Sequence, residues 1–342
     1  ITARRLVLAT GSCAKIININ GIDEVSYLTN ETLFNLRKAP SHLAIIGGGP
    51  IGLEMAQAHA RLGVKTTLIE MNRIMIGHER RFVEPVEKSL IDDGVNILEN
   101  TFVNRVEKDK ADIKLHLSSG EVLLVSDLLI AAGRVPNIEQ LALERAGVEY
   151  SEFGVTVDRK LRTTNRSVYA IGDIVEGSRF THTASYHAGI VLKKILLGLP
   201  SKLRTDHIPQ VTYTDPEIAS VGMSFEDAVK RFGKKVERSC VNLKTNDRAV
   251  TDSKTEGFVE VLLLGRKVIG CSITSKNAGE LISFWAFVIA KNIKISSINA
   301  MIPPYPTLGE LNKRVVSEYY APKVFGNKLL KYYVGIIQRF FK

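Results

Sequence analysis

The stretch IIGGGPIGLEMAQA, residues 45–58, is the one on which the fold depends. Residues 43–47 read as a short buried strand, and residues 50–62 carry apolar side chains at helical spacing. Gly63 fits the position that ends a helix, and the β-branched stretch VKTTLIE, residues 64–70, reads as a second strand. The sequence therefore predicts a complete βαβ unit of an α/β fold.

The glycines of this unit have the spacing G-x-G-x-x-G, which is typical of a dinucleotide-binding turn. Gly47 permits the tight turn, Gly49 lets the backbone approach a diphosphate, and Gly52 lets helix and strand pack closely. Pro50 and Ile51 open the helix, whose free N–H groups and partial positive charge attract phosphates. Because strand, helix and second strand are all in register, we interpret the stretch as a nucleotide cradle rather than as a glycine turn without a ligand.

The coenzyme is indicated by Glu70, which ends the second strand 18 residues after Gly52. A carboxylate at this position accepts hydrogen bonds from ribose hydroxyls and repels a 2′-phosphate. The sequence therefore favours NAD over NADP, and the nearby Arg73 keeps NADP as the alternative.

Composition places the chain among ordinary globular proteins, with 342 residues, 45% hydrophobic and 24% charged. The net charge is +10, but the basic residues are spread out and no nucleic-acid motif accompanies them, so we predict no nucleic-acid partner. No signal peptide and no run of about 18 apolar residues is visible, and we expect a cytoplasmic location.

The cysteines and histidines do not have the spacing of a reactive site. Cys13, Cys240 and Cys271 are too far apart for a CxxC or CxxxxC redox pair, so we interpret them as separate structural thiols. His182 and His187 do not have the i, i+4 spacing of a paired metal site, and we predict no metal.

Three further stretches end an apolar strand in a loop: RRLVLATGS at 4–12, DLLIAAGRVPN at 127–137 and SVYAIGDIV at 167–175. Each one alone reads as a strand and a turn. Together with the cradle, and in this order, they resemble the pyridine nucleotide–disulfide oxidoreductase family. YTDPEIASVG at 213–222 and PPYPTLGE at 303–310 extend the resemblance into that family's dimerisation domain.

The resemblance implies FAD and NAD as cofactors, a homodimer, and a Rossmann-like NAD domain inserted into an incomplete FAD domain, followed by an α+β dimerisation domain. It also implies that the chain is N-terminally truncated, because the family's first GxGxxG and its usual CxxxxC pair are not in the sequence. The implied segments are 1–40 and 136–206 in the FAD domain, 41–135 in the NAD domain, 207–320 in the dimerisation domain and 321–342 in a basic tail.

The resemblance also assigns cofactor contacts. Glu54 would lie near the nicotinamide, Gly133 would help to close the cofactor cleft, and Asp173 would accept hydrogen bonds from the ribityl chain of FAD. The residues implied to face the flavin site are Thr10, Gly11, Gly172, Asp173 and Ala184.

The candidate catalytic residues are Tyr305 and Glu310. The family's disulfide reductases place a His before Pro-Thr, backed by a Glu, whereas this chain has Tyr305 there and Glu310 in the expected place. A tyrosine with an ordinary pKa of about 10 donates a hydrogen bond at neutral pH but is a poor base. This tyrosine resembles the mercuric-reductase branch, although the chain ends QRFFK without a cysteine pair; the alternative is a packed aromatic side chain in a Pro-rich turn.

In its complete form, we expect the protein to pass a hydride from NADH to FAD and to reduce a small sulfur-containing substrate, either a disulfide or a thiol-bound metal ion. One alternative is a non-catalytic NAD-binding fragment or interaction protein, without the FAD pyrophosphate cradle and the redox cysteines. Another is a thiol-independent flavin reductase or NADH oxidase.

The last 22 residues contain five Lys or Arg and no acid, and their apolar residues fall near helical spacing. They predict a basic amphipathic helix that contacts a membrane surface, or a tail packed on its own dimer.

Overall fold

The computed structural model describes residues 3–177 and 179–340. The strands are β1 Leu6–Leu8, β2 Ser12–Ala14, β3 His42–Ile46, β4 Lys65–Ile69, β5 Val95–Leu98, β6 Val103–Asp109, β7 Asp112–Leu117, β8 Val122–Val125, β9 Asp127–Ile130, β10 Arg134–Pro136, β11 Tyr150–Ser151, β12 Gly154–Val155, β13 Val168–Ala170, β14 Gln210–Thr212, β15 Glu217–Gly222, β16 Val236–Asn242, β17 Phe258–Leu264 and β18 Lys267–Ser275. The helices are α1 Pro50–Arg61, α2 Arg80–Asp92, α3 Thr181–Leu197, α4 Phe225–Phe232, α5 Asp247–Thr251, α6 Ala278–Ala290, α7 Glu310–Phe325 and α8 Lys328–Phe340.

The chain divides into two compact units. Unit 1 takes in the described residues up to Ile76 together with Leu90–Thr205, and unit 2 takes in Gly77–Ser89 together with the described residues from Asp206 onward. Gly77–Ser89, which the sequence analysis placed within the NAD domain, thus groups with unit 2 by its contacts. The segment boundaries given above stay predictions.

Unit 1 is centred on a parallel sheet with the strand order β5-β4-β3-β9. Strand β3, helix α1 and strand β4 follow one another directly, which confirms the predicted βαβ unit. All five residues of β3 are buried, because α1 packs on one face of the sheet and the antiparallel sheet β6-β7-β8 covers the other. Pro50 is in the first turn of α1 and Gly63 has a φ of 82°, so the helix begins and ends where the sequence predicts.

The rest of unit 1 joins segments that are distant in sequence. Strand β1 pairs in parallel with β13, and β2 pairs with β10 in antiparallel fashion. A single 3-10 turn, Gly172–Ile174, follows β13 closely, and α3 begins soon after it. The amide of Gly172 donates to Nδ1 of His187, 3.2 Å away, and burial lowers the pKa of His187, which keeps this nitrogen available as an acceptor. The turn is therefore held against α3.

Unit 2 is an α+β arrangement, as predicted for a dimerisation domain. Its antiparallel sheet has the order β14-β15-β18-β17-β16, and α6 and α7 pack on it. The core includes Trp285 of α6, which is fully buried and donates its indole N–H to Asn312 Oδ1 at 2.8 Å. Two salt bridges connect Gly77–Ser89 to the sheet of this unit. Arg81 pairs with Glu260, and Arg238 Nη2 lies 2.7 Å from Glu79 Oε2.

Candidate functional site

The loop Gly47–Gly52, called the cradle loop below, contains two glycines that the protein's own packing requires. Gly47 has a φ of 117°, and a Cβ there would lie 2.4 Å from the carbonyl oxygen of Ala131. A Cβ on Gly52 would lie 1.8 Å from the carbonyl oxygen of Gly47. These two positions therefore admit only glycine without a shift of the backbone, and they bring α1 close to β3.

Gly49 is different, because nothing in the described protein requires it to be glycine. Its φ is −83°, which any residue adopts, and a Cβ there would meet no atom within 4 Å. It is also the residue that precedes α1, where no side chain caps the first amides. Open space beside free helix N–H groups is what a diphosphate needs. The open space beside Gly49 therefore fits the predicted dinucleotide, and a Cβ at Gly49 would occupy part of the space that the diphosphate needs.

The structure places Glu70 directly beside the cradle loop. Its Oε2 accepts a hydrogen bond from the amide of Gly48 at 2.6 Å, and its Oε1 accepts one from the amide of Asn72 at 2.8 Å. A carboxylate has about four acceptor positions, so two remain for a ligand. The carboxylate is therefore fixed at the end of β4, where a ribose would lie. Glu54 is half-buried on α1, and its predicted place near the nicotinamide stays a prediction.

A cavity of about 460 Å³ in unit 1 brings together predicted flavin-site residues from separate parts of the chain. Gly11 comes from the loop between β1 and β2, Gly172 and Asp173 from the turn after β13, and Ala184 from the first turns of α3. Gly172 and Ala184 are in close contact, because a Cβ on Gly172 would lie 3.2 Å from that of Ala184. The other lining residues are Ala9, Arg134, Ile171, Arg179 and Thr181.

Asp173 is oriented by a small polar network within this cavity. Ser12 Oγ donates to Asp173 Oδ2 at 2.7 Å, and Arg134 Nε lies 3.8 Å from the same oxygen. Arg134 Nε also donates to Ser12 Oγ at 2.7 Å, while its Nη1 donates to Asn30 Oδ1 at 3.1 Å. The carboxylate of Asp173 is thus held in one orientation, with acceptor positions left for the hydroxyls of a polyol.

Thr10 and Gly133 flank the cavity in sequence but do not line it. The hydroxyl of Thr10 donates to the carbonyl oxygen of Asn137 at 2.7 Å, and the side-chain amide of Asn137 donates back to the carbonyl oxygen of Thr10 at 2.9 Å. Gly133 has a φ of 111° in the turn that leads into β10, so the turn itself favours glycine. The cofactor contacts expected of Thr10 and Gly133 stay predictions.

One buried polar group of a residue that lines this cavity lacks a hydrogen-bond partner among the described residues. It is Nε of Arg179. A buried donor left unpaired costs about 1–3 kcal/mol. A polar ligand in the cavity would offer Arg179 an acceptor, so the residues present fit a flavin with its hydroxylated chain.

Two arginines of this cavity, Arg134 and Arg179, were not predicted as site residues from the sequence, although Arg134 lies in the GRVPN stretch. Arg179 donates to the carbonyl oxygens of Arg134 and Phe153, so it fastens the turn after Gly133 to neighbouring loops. The signal that could have found Arg134 is a cation a few residues after a buried strand, since Arg134 follows the end of β9 at Ile130 by four positions.

The predicted catalytic tyrosine lies on an exposed turn of unit 2. Tyr305 precedes a cis peptide bond to Pro306, and the residue is 70% exposed. This exposure argues against the alternative of a packed aromatic side chain in this chain. Its hydroxyl donates to Asp247 Oδ2 at 3.0 Å, and this hydrogen bond raises the pKa of Tyr305. Tyr305 is therefore a hydrogen-bond donor at neutral pH, as predicted from its residue type.

Glu310 makes its hydrogen bond elsewhere than to Tyr305, and its predicted catalytic role stays a prediction. Glu310 Oε2 instead accepts a hydrogen bond from the amide of Thr307 at 3.3 Å, at the first turn of α7. A carboxylate is favourable there because it satisfies a free amide near a helix N-terminus. Asp247, 58 positions from the tyrosine, takes the place beside the hydroxyl.

The cysteines lie on separate strands. Cys13 is half-buried on β2, Cys240 is exposed on β16 and Cys271 is buried on β18, and all three are free thiols. Within residues 3–177 and 179–340, no cluster of three His, Cys, Asp or Glu could hold a metal ion. In the same ranges, no helix has both the length and the apolar character needed to cross a bilayer.

The cradle loop, the acid after β4 and the cavity lined by Gly172 and Asp173 are the features expected of an α/β protein of the dinucleotide-binding class. Residues 1–188 match the family described as pyridine nucleotide-disulphide oxidoreductase, and residues 208–315 match that family's dimerisation domain. The chain belongs to the pyridine nucleotide-disulphide oxidoreductase family. Members of this family bind FAD and use NAD(P)H.

The chain is similar to proteins of two named activities. It is 33% identical over 317 residues to a mercuric reductase of Bacillus cereus, covering 91% of this chain and 50% of that one. It is 31% identical over 318 residues to a dihydrolipoyl dehydrogenase of Geobacillus stearothermophilus, covering 91% of this chain and 67% of that one. The chain thus spans about half to two thirds of the length of these relatives.

Solved structures share the fold. The HOCl-induced flavoprotein disulfide reductase RclA of Escherichia coli, solved as a Cu(II) complex, has a TM-score of 0.83 and 28% identity, covering 92% of this chain and 74% of that one. LpdA of Mycobacterium tuberculosis has a TM-score of 0.84 and 26% identity, covering 92% of this chain and 69% of that one.

Proposed function

We propose that this chain carries the NADH-binding, flavin-contacting and dimerisation parts of an FAD-dependent oxidoreductase that acts on a sulfur group. The observation that carries the proposal is the contrast within the cradle loop. Gly47 and Gly52 are explained by the protein's own packing, whereas Gly49 faces open space at the N-terminus of α1. A ligand that approaches the backbone there explains a glycine that the fold does not need.

The chain's own residues bind and orient the cofactors. The first amides of α1 hold the diphosphate of NADH, and Glu70, fixed by Gly48, accepts hydrogen bonds from the ribose and disfavours a 2′-phosphate. Asp173, fixed by Ser12 and Arg134, accepts hydrogen bonds from the hydroxylated chain of the flavin. FAD, when bound, supplies hydride acceptance and the transfer of electrons to the sulfur substrate.

In the free chain the single O–H of Tyr305 is donated to Asp247, and we propose that this proton turns to the substrate or its sulfur when a substrate binds. The carboxylate of Asp247 raises the pKa of Tyr305, so the phenol is a donor and not a base at neutral pH. A disulfide or a thiol-bound metal ion is the substrate class we propose. A symmetric homodimer through the residues that match the dimerisation domain, and a cytoplasmic location, belong to the same proposal.

The test is a fluorescence titration of the chain with NADH and with NADPH. We expect tighter binding of NADH, and Gly49→Val should weaken it at least tenfold because the side chain occupies the space of the diphosphate. A matched control is Gly63→Asn, which adds a side chain in the same βαβ unit where nothing lies within 4 Å and leaves the cradle loop intact. Unchanged binding on Gly49→Val would contradict the proposal.

The wide separation of the three cysteines supports a second candidate, a thiol-independent flavin reductase or NADH oxidase. Oxygen uptake with NADH distinguishes it from a reductase of sulfur substrates. A third candidate is a non-catalytic NAD-binding protein. Such a protein would be colourless after purification and would still bind NADH, whereas flavin absorbance bleached by NADH would exclude it.

A further inference from the structure

Helix α8 is an amphipathic helix with a basic face. Asn327 caps its start, since Asn327 Oδ1 accepts hydrogen bonds from the amides of Leu329 at 3.0 Å and Leu330 at 3.2 Å. At 3.6 residues per turn the apolar side chains fall within an arc of about 120°. The members of this apolar face are Leu329, Leu330, Tyr333, Ile336, Ile337 and Phe340, and the opposite face carries Lys328, Lys331, Gln338 and Arg339.

The apolar face of α8 is only partly covered by the part of the chain that the structure describes. No residue of α8 is buried: Leu329 is 79% and Phe340 82% exposed, whereas Leu330 and Ile337 are each 36% exposed. A continuous row of large apolar side chains in water is unfavourable, and such a surface usually marks a place where another surface binds. Helix α7 covers only part of the apolar face, and a large apolar surface remains exposed.

Charge and length favour one occupant. Residues 321–340 contain no acid, so a second copy of α8 would bring like charges together, whereas an anionic lipid surface offers opposite charges. The helix has 13 residues and is about 20 Å long, too short to cross a hydrocarbon core of about 30 Å. Tyr332 and Tyr333 are of the residue type that prefers the boundary between headgroups and hydrocarbon.

We propose that α8 binds the surface of an anionic lipid bilayer and lies in its plane. The apolar face enters the boundary between headgroups and acyl chains, and the cations on the opposite face contact anionic headgroups. This inference concerns where the protein is held, and it does not rest on the proposed enzymatic function.

The test is co-sedimentation of the full chain with vesicles of mixed phosphatidylglycerol and phosphatidylcholine, compared with vesicles of phosphatidylcholine alone. Ile337→Glu and Gln338→Glu make a matched pair, because each adds one negative charge at adjacent positions on opposite faces of α8. We expect Ile337→Glu to weaken binding roughly hundredfold, through lost apolar burial and charge together, and Gln338→Glu only about fivefold, through charge alone. Circular dichroism checks that both variants remain folded.

Raising the salt concentration should also release the unaltered chain, because the attraction to anionic headgroups is screened. Failure of the unaltered chain to bind anionic vesicles overturns the proposal. Equal binding to phosphatidylcholine alone, or equal effects of the two substitutions, also overturns it. If vesicle binding is absent and Ile337→Glu dissociates an oligomer, the apolar face is instead a contact between copies of the chain.

Discussion

The cradle loop of unit 1 and the turn around Tyr305 in unit 2 are both candidate functional loops, but their chemistry has different origins. In the cradle loop the backbone provides the donors, and glycine spacing within six residues fixes the geometry. In the turn a side chain provides the donor, and its partner Asp247 comes from a position 58 residues away. Chemistry that is built from local backbone can be read from spacing, whereas chemistry that depends on a distant side chain needs the fold.

The largest expected effect breaks the cradle loop itself. Gly52→Ala places a Cβ 1.8 Å from the carbonyl oxygen of Gly47, so α1 has to move away from β3. We expect a loss of about 2–4 kcal/mol in the free energy of unfolding, together with weaker NADH binding. Chemical denaturation measures the first and a titration the second.

Gly49→Ala is the control for Gly52→Ala, because both substitutions add one methyl group to the same loop. Its Cβ meets no atom within 4 Å and its φ is an ordinary one, so only the poorer capping by alanine lowers stability, by about 0.5–1 kcal/mol, while NADH affinity falls. Equal losses of stability in the two variants would show that both glycines serve packing. That result would remove the main support for the nucleotide site.

An intermediate loss in the free energy of unfolding is expected at the side-chain network around Asp173 in unit 1. Arg134 donates hydrogen bonds to Ser12 and Asn30 and faces Asp173, and these residues come from separate segments. Arg134→Gln should lower the free energy of unfolding by about 1–2 kcal/mol, because the glutamine is too short to keep all three contacts. Thermal denaturation measures the loss.

Arg166→Gln is a suitable control for that variant, because Arg166 is exposed on the same unit. It should leave the melting temperature nearly unchanged. Similar melting temperatures for the two variants would mean that the network around Asp173 adds no stability, and Asp173 would then lack the fixed orientation on which its proposed role depends.

These differences explain how far the sequence could be read. The βαβ unit, the ends of α1 and the placement of Gly172 and Asp173 after a buried strand follow from local patterns, and the structure confirms them. The convergence of Gly11, Asp173 and Ala184 on one cavity was reached through the family resemblance, because no local pattern encodes pairing between β1 and β13. Arg179 and Asp247 could not be assigned, because each acts through contacts across long sequence separations that many surface residues could have made.

The smallest expected effect concerns the distant partner of Tyr305. The carboxylate of Asp247 accepts the phenol's hydrogen bond and would repel a phenolate, so it raises the pKa of Tyr305. Asp247→Asn removes the negative charge but keeps an oxygen that can accept the hydrogen bond. We therefore expect the pKa of Tyr305 to fall toward its ordinary value, with phenolate appearing at lower pH than in the unaltered chain.

Ultraviolet absorbance of the phenolate as a function of pH measures this shift. The Tyr305→Phe background isolates the signal from the other tyrosines, since Asp247→Asn should change the titration of the unaltered chain but not that of Tyr305→Phe. A fall of the pKa would assign the control of this hydroxyl to Asp247 and leave Glu310 with its contact to the amide of Thr307. If Glu310→Gln moved the titration and Asp247→Asn did not, the pairing first expected from the sequence would hold in solution, and the turn would be as local in its chemistry as the cradle loop.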